Sequence, residues 1–333
     1  MGFRAEKERK EKIRKRIAVI LLAVFLFFVA VMTVFCAFVP IDSWKYYFSL
    51  PDLSPRGEGE LRVHFLDVGQ ADCTLVEFPD GQTLLIDGGD VDADEEILRY
   101  LNALKIEKLD YLLLTHTDAD HCGSLAKVLT FKEIGKVFLP FVTEKELATE
   151  TFLEFSEVLE KSSAQTEVVS RYAGIESTDG RYPFTFRVLF PYSMESGGND
   201  GLEGNELSTV SWLDYRGVST LFCGDTNKYI LSNLIAEDSL GVFSDYGIDL
   251  KSTEIFKIPH HGGELGIDES VLEYFGTETA IISCGRNNYY GHPHAATLAA
   301  LSALNIDAYR TDWRGNILLT VRADGTKTVS CQK

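Results

Sequence analysis

The spacing of apolar and polar residues changes several times along the chain, and each change predicts a different kind of element. Residues 17–39 are an unbroken apolar run whose most polar members are Thr33 and Cys36. At ~1.5 Å per residue, about 20 such residues cross the hydrocarbon core of a bilayer, so the run predicts one transmembrane anchor. It is longer than the apolar core of an ordinary signal peptide and has no A-x-A-like cleavage site after it. Pro51, Pro55, Gly57 and Gly59 mark residues 40–60 as a linker. Beyond it, β-branched and aliphatic runs predict strands at 61–68, 73–78 and 83–87, with Pro79-Asp80-Gly81 as a turn. Ile97, Leu98, Leu101 and Leu104 recur at helical spacing and predict a helix over 94–104. The same reasoning predicts strands at 111–115, 136–139, 184–190, 207–215, 218–223, 255–259, 279–283, 307–310 and 316–321. Helices are expected from 123, over 144–161, and near 227–236, 268–275 and 295–304. Residues 197–204 hold four glycines with no GK[ST] after them, which reads as a mobile loop and not a phosphate cradle. Residues 61–333 therefore read as one α/β domain with a sheet core covered by helices.

Composition adds location. The chain is 45% hydrophobic and 25% charged, which excludes disorder and collagen-like fibres. The net charge of −18 is unevenly spread, because residues 1–16 carry eight bases and three acids, a net of +5 that leaves −23 on the remainder. Bases before an apolar span hold that end in the cytoplasm, so residues 1–16 read as a cytoplasmic tail and everything after the span as extracytoplasmic. A body that acidic repels phosphate backbones at long range and excludes a basic nucleic-acid-coating module. Cys73, Cys122, Cys223, Cys284 and Cys331 are an odd number without CxxC spacing. Buried free thiols are expected of them, not a disulfide framework.

Chemistry concentrates where strands end. Directly after the apolar 111–114 comes Thr115-His116-Thr117-Asp118-Ala119-Asp120-His121, two imidazoles and two carboxylates within six residues. On an exposed helix this would be a solvated charge run; after a buried strand it aims donor groups into one cleft. Calcium prefers an all-oxygen shell, and two adjacent histidines favour a transition metal. Asp225 follows another strand, with Gly224 to turn the backbone, and His260-His261-Gly262-Gly263 follows a third. Asp87, in Ile86-Asp87-Gly88-Gly89, is placed to orient a ligand imidazole. His64 lies inside a strand and reads as packed, whereas His294 begins a helix.

The order of these segments resembles the metallo-β-lactamase superfamily, whose pattern is HxHxDH, a later Asp and a final His. It is more similar to the hydrolase domain of ComEC-type competence proteins. The likeness rests on residues 65–72, 86–89, 115–123, 205–208, 224–225, 259–262, 291–293 and 311–315, spanning about 61–320. It implies an αββα sandwich with two divalent metal ions at the sheet edges. Carried across, His116, Asp118, Asp120, His121, Asp225 and His261 are the implied ligands, with Asp225 bridging the ions. His261 is preferred over His260 because the final ligand usually precedes a glycine, though the pair stays open. Asp118 stands where most members have His, and no histidine lies between His121 and His260, so Asn205, Ser208 or water would fill the midway place. Carboxylate in place of imidazole shifts the preference from zinc toward manganese.

The implied reaction is hydrolysis by a hydroxide bridging two ions, with Asp120 orienting it and His292 contacting substrate or leaving group. The expected enzyme is a membrane-anchored extracytoplasmic phosphodiesterase. The resemblance implies degradation of one DNA strand during uptake, but one helix forms no pore, so a separate channel protein would be needed, and the −23 charge of the body disfavours processive DNA handling. Alternatives are a cell-wall phosphodiester or phosphorylcholine esterase, lactam or lactone opening, and an anchored metal-binding receptor without turnover.

Overall fold

Gly2–Phe38 form one continuous helix, α1, so the basic tail and the apolar run share a single element. Its residues 14–34 are long and apolar enough to cross a membrane. The computed structural model describes residues 2–38, 56–142, 149–192, 198–199 and 201–333. Most of the expected linker at 40–60 lies outside the described residues, as do the first part of the helix expected over 144–161 and residues 197 and 200 of the glycine-rich loop. The chain divides into two units, Met1–Phe48 and Ser49–Lys333.

In the second unit the strands run in chain order as β1 (Leu61–Phe65), β2 (Thr74–Glu77), β3 (Thr83–Ile86), β4 (Lys108–Leu113), β5 (Glu133–Leu139), β6 (Gln165–Val168), β7 (Gly174–Glu176) and β8 (Thr185–Phe190). They continue as β9 (Val210–Tyr215), β10 (Val218–Phe222), β11 (Ile255–Lys257), β12 (Thr279–Ile282), β13 (Asp307–Arg310), β14 (Ile317–Val321) and β15 (Lys327–Cys331). One sheet has the order β15-β14-β1-β2-β3-β4-β5-β6 and the other β13-β12-β11-β10-β9-β8-β7. Each sheet changes character part-way across. Strands β1, β2, β14 and β15 pair antiparallel, whereas β3 through β6 pair parallel. In the second sheet β7 through β10 are antiparallel and β10 through β13 parallel.

Alternation along the strands explains the layers. Val63 and Phe65 face Val188, Leu213 and Phe222 in the core between the sheets, and Phe78 stacks on Phe184 at 4.4 Å. His64, pointing the other way, meets the Tyr100 hydroxyl of helix α2 (Asp94–Ala103) at 2.9 Å. Short helix α3 (Ala119–Cys122) and helices α4 (Leu125–Phe131) and α5 (Glu150–Lys161) follow. On the second sheet, α6 (Lys228–Ser239), α7 (Glu269–Phe275) and α8 (Ala295–Ala303) bury Leu231, Leu272 and Leu301 against Trp212, Leu221 and Phe256. The result is a helix–sheet–sheet–helix sandwich, as expected. The five cysteines beyond the apolar run, Cys73, Cys122, Cys223, Cys284 and Cys331, are free, and the first four are buried. Strands β6, β7 and β15 were not expected from the pattern, and Asp307–Arg310 leads into a further short helix, α9 (Thr311–Arg314).

Candidate metal centre

Parallel strands all direct their carboxyl ends to one edge of a sheet, where loops are free to carry polar groups. The loops after β3, β4, β10 and β11 meet at that edge. After β3, Asp87 adopts a left-handed backbone (φ 60°) and lies fully buried. Its carboxylate accepts hydrogen bonds from the Thr115 amide (2.8 Å), the Thr115 hydroxyl (2.8 Å) and His121 Nδ1 (2.8 Å). With Nδ1 donating, His121 presents Nε2 to the cavity as its remaining ring nitrogen. After β10, Gly224 (φ 49°) passes so close to Ser208 and Thr115 that an added Cβ would lie 3.0 Å from both side chains. That turn delivers Asp225, whose amide donates to Ser208 Oγ at 3.2 Å. After β11, His260 and His261 both have positive φ (51° and 53°), a conformation that costs a non-glycine residue about 1 kcal/mol or more and needs surrounding structure to hold it.

Asp120, His121, Asp225 and His261 offer donor atoms that all lie within 4.8 Å of one another. His121 Nε2 is 3.1 Å from Asp225 Oδ1, and His261 Nε2 is 3.1 Å from Asp120 Oδ2 and 3.6 Å from Asp225 Oδ2. The His116 and His121 rings are 4.1 Å apart. Although His121 Nε2 and Asp225 Oδ1 are close, their alignment makes no hydrogen bond; these atoms and His116 Nε2 are buried without a partner. Burying unsatisfied polar atoms is costly, and His121 Nε2 and Asp225 Oδ1 within this close group fit a divalent cation, whereas His116 lies outside the group of four. The donor set of imidazole and carboxylate is that of a transition-metal site. The cavity has a volume of 390 Å³, and Asp118, Asp120, Asn205, Asp225, His261 and His292 are among its walls.

Electrostatics follow from burial and crowding. Burial alone would raise the Asp225 carboxyl, but His121 and His261 hold it well below the usual range. Burial would lower His121, yet Asp225 and Asp87 raise it well above an ordinary imidazole. Burial likewise opposes the charged form of His261, which Asp225 and Asp120 nonetheless raise. His116 is pushed down to about 3, first by burial and then by His121, so it is neutral.

Other expected residues take distinct places. Asp118 is half exposed at the cavity mouth, its Oδ2 3.8 Å from His116 Nε2, outside the close group of four. His260 is more exposed than His261 and lies 3.8 Å from Asp225 Oδ2. Asn205 lines the cavity, whereas Ser208 is occupied with the Asp225 amide. Asp67 lies apart from the group, its amide donating to Asn316. His64 is packed between Tyr100 and Glu77, and His294 is the residue before α8.

Two residues escaped the sequence reading. Lys257, at the end of β11, is buried and pairs with Asp72 at 2.7 Å. The Asp72 backbone in turn accepts from Gly89 and donates to the Asp120 carbonyl, so this pair ties the edges of the two sheets together behind the cavity. A lysine inside Ile255-Phe256-Lys257-Ile258 was the available signal. Gln70 accepts from the Gly285 amide at 2.9 Å through Oε1 and places Nε2 3.3 Å from His292 Nδ1.

Residues 66–138 match the family model of the metallo-beta-lactamase superfamily. Over these residues the chain is similar to the metallo-β-lactamase superfamily. Among curated proteins, the chain is 29% identical over 287 residues to ComE operon protein 3 of Bacillus subtilis, covering 81% of this chain and 34% of that protein. It is 26% identical over 278 residues to competence protein ComA of Neisseria gonorrhoeae, covering 83% and 34%. The chain thus spans about a third of the length of these relatives. A solved structure from Parabacteroides distasonis, described as a metal-dependent hydrolase, is similar with a TM-score of 0.42 and 14% identity, covering 76% of this chain and 93% of that one. The metallo-β-lactamase match includes the β3 and β4 loops with Asp87, His116, Asp120 and His121.

Proposed function

We propose that this chain is a membrane-anchored phosphodiesterase whose site lies outside the cytoplasm. The observation that carries the reading is the convergence of donor atoms from Asp120, His121, Asp225 and His261 at the wall of an open cavity, with His121 Nε2 and Asp225 Oδ1 buried and making no hydrogen bond. In this reading His116, Asp118, Asp120, His121, Asp225 and His261 hold two divalent ions, manganese or zinc. Bound there, such ions supply Lewis-acid polarisation and a lowered water pKa. Three carboxylates against two divalent ions leave no net negative charge to repel a phosphodiester.

The chain's own side chains do the rest. Asp87 fixes the tautomer and tilt of His121. His261 Nδ1 donates to the Ser283 carbonyl, which leaves Nε2 free to hold a metal, and Asp120 would act as acceptor for a water proton at the cavity wall. Burial and the neighbouring His261 push His292 down to about 4, so it is neutral at pH 7. Gln70 Oε1 is committed to Gly285, so its amide donates to His292 Nδ1 and the ring proton sits on Nε2. His292 then serves as a hydrogen-bond donor to a substrate oxygen.

The bases before residue 17 support a cytoplasmic N-terminus. Competence proteins among the relatives support DNA as substrate, with a separate channel protein as partner. The test is turnover of bis-p-nitrophenyl phosphate by the detergent-solubilised full chain with manganese or zinc. Turnover abolished by Asp120→Asn supports the reading. Metal binding without turnover of any phosphodiester overturns it in favour of an anchored metal-binding receptor.

A further inference from the structure

A second cavity, of 420 Å³, opens beside the first and shares His292 as its wall. Its floor is a built loop. Asn288 donates to the carbonyls of Gly285 (2.9 Å) and His292 (2.6 Å) and accepts from the His292 amide (2.9 Å). Gln70 grips the same loop at Gly285 and reaches His292, so both cavities hang on one polar framework. The opposite side is Arg310, Asp312 and Trp313. The Arg310 guanidinium lies 3.9 Å over the indole ring and is held in plane by Asp312, through Nε at 3.0 Å and Nη2 at 2.8 Å. Trp313 is nevertheless 65% exposed. Tyr289, on the loop, is 99% exposed. Arg286, on the same loop, has no carboxylate within 4 Å among the described residues, in a chain whose net charge is −18.

We infer that this cavity is a subsite for the nucleotide next to the scissile phosphodiester of a single-stranded nucleic acid, stacking its base on Trp313 and holding its phosphate near Arg286. The inference rests on the phosphodiesterase reading and adds how the strand is held. A guanidinium already seated on an indole leaves an aromatic platform whose outer surface receives a second flat ring, and aromatic platforms with nearby cations hold single strands. Duplex bases are already stacked and present no free face. A choline-like head group is disfavoured, because a quaternary ammonium needs aromatic faces free of other cations. Here Arg310, paired with Asp312, covers one face, and Arg286 adds a positive charge to the cavity.

The test uses the manganese-loaded full chain in detergent and a fluorescent phosphorothioate decamer of thymidylate, which resists hydrolysis and reports binding alone. Trp313→Ala is expected to weaken binding about tenfold, the scale of removing one stacking ring. Arg286→Ala is expected to weaken it and to make the log–log salt dependence shallower by about one unit. Turnover of bis-p-nitrophenyl phosphate, too small to reach the second cavity, stays within about twofold for both variants. An abasic decamer is expected to bind wild type no better than the thymidylate decamer binds Trp313→Ala. Equal affinity of wild type and Trp313→Ala overturns the inference, as does equal affinity for the abasic decamer or displacement by phosphocholine. Failure of wild type to turn over bis-p-nitrophenyl phosphate sinks the catalytic reading alone, since the binding measurement does not depend on hydrolysis.

Discussion

The parallel and antiparallel halves of the two sheets divide the labour of this molecule. The close group of donors and the Asp87 behind it all follow parallel strands: Asp87 after β3, Asp120 and His121 after β4, Asp225 after β10, His261 after β11. The antiparallel halves contribute Val63, Val76, Leu213 and Leu319 to the core between the sheets and none of the close group Asp120, His121, Asp225 and His261, although Asp72, between β1 and β2, stands behind it near Asp87 and His121. Parallel pairing forces each strand to return by a crossover, so all its carboxyl ends open on one side; hairpins alternate their ends and disperse them. A site needing donors from four loops is therefore built on the parallel halves, and the antiparallel halves are left to packing.

Substitutions on either side sharpen that contrast. Asp225→Asn should lower kcat/KM for bis-p-nitrophenyl phosphate on the order of 10³-fold, as expected for losing an interaction of about 4 kcal/mol. Its melting temperature without metal should move little by comparison. Lys257→Met sits where the two halves meet. It leaves Asp72 buried and unpaired, which should cost about 3–5 kcal/mol in denaturant unfolding. The double variant Lys257→Met with Asp72→Asn should recover part of the loss, and failure to recover would show that the lysine acts by packing alone. Val76→Ala, in the antiparallel half, should cost about 2 kcal/mol with unchanged kcat. A large kcat effect from that change would break the division proposed here.

The smallest expected effect concerns pH. His121 and His261 are both raised in the metal-free fold by neighbouring carboxylates. Their contribution to stability is present below an ordinary imidazole pKa near 6.5 and is lost as pH rises through their raised values. Metal-free protein should therefore lose stability from about pH 6.5 upward. Metal needs neutral imidazoles, so affinity should rise over the same interval and the stabilisation by metal should grow with it. Thermal unfolding at pH 6 and pH 9, with and without manganese, reads both trends; parallel trends would contradict the assigned protonation.

Much of this architecture was readable because it obeys strong periodicities. The apolar strands β4, β10 and β12 and the clustered 115–121 segment are local signals that need no partner to be recognised. Strands β6, β7 and β15 were not readable, since they are polar or glycine-bearing edge strands whose form is imposed by a neighbour. The Lys257–Asp72 pair spans 185 positions and leaves no local trace beyond one charge in an apolar strand. Gln70 was inside a recognised motif, but its grip on Gly285 and His292 depends on sheet packing that no spacing encodes. The helix over 2–38 erased the boundary at residue 16 because Lys and Arg are good helix formers and continue the helix through the change of composition.

The lysine behind the cavity also bears on the order in which the molecule is assembled. A crowd of carboxylates at the meeting point of two sheets would oppose closure of the sandwich if nothing balanced it. Here one internal cation and the protons retained by two imidazoles supply that balance from the chain itself. On the proposed metal reading, the polypeptide would finish folding empty, and an arriving cation would displace protons from a site already in shape.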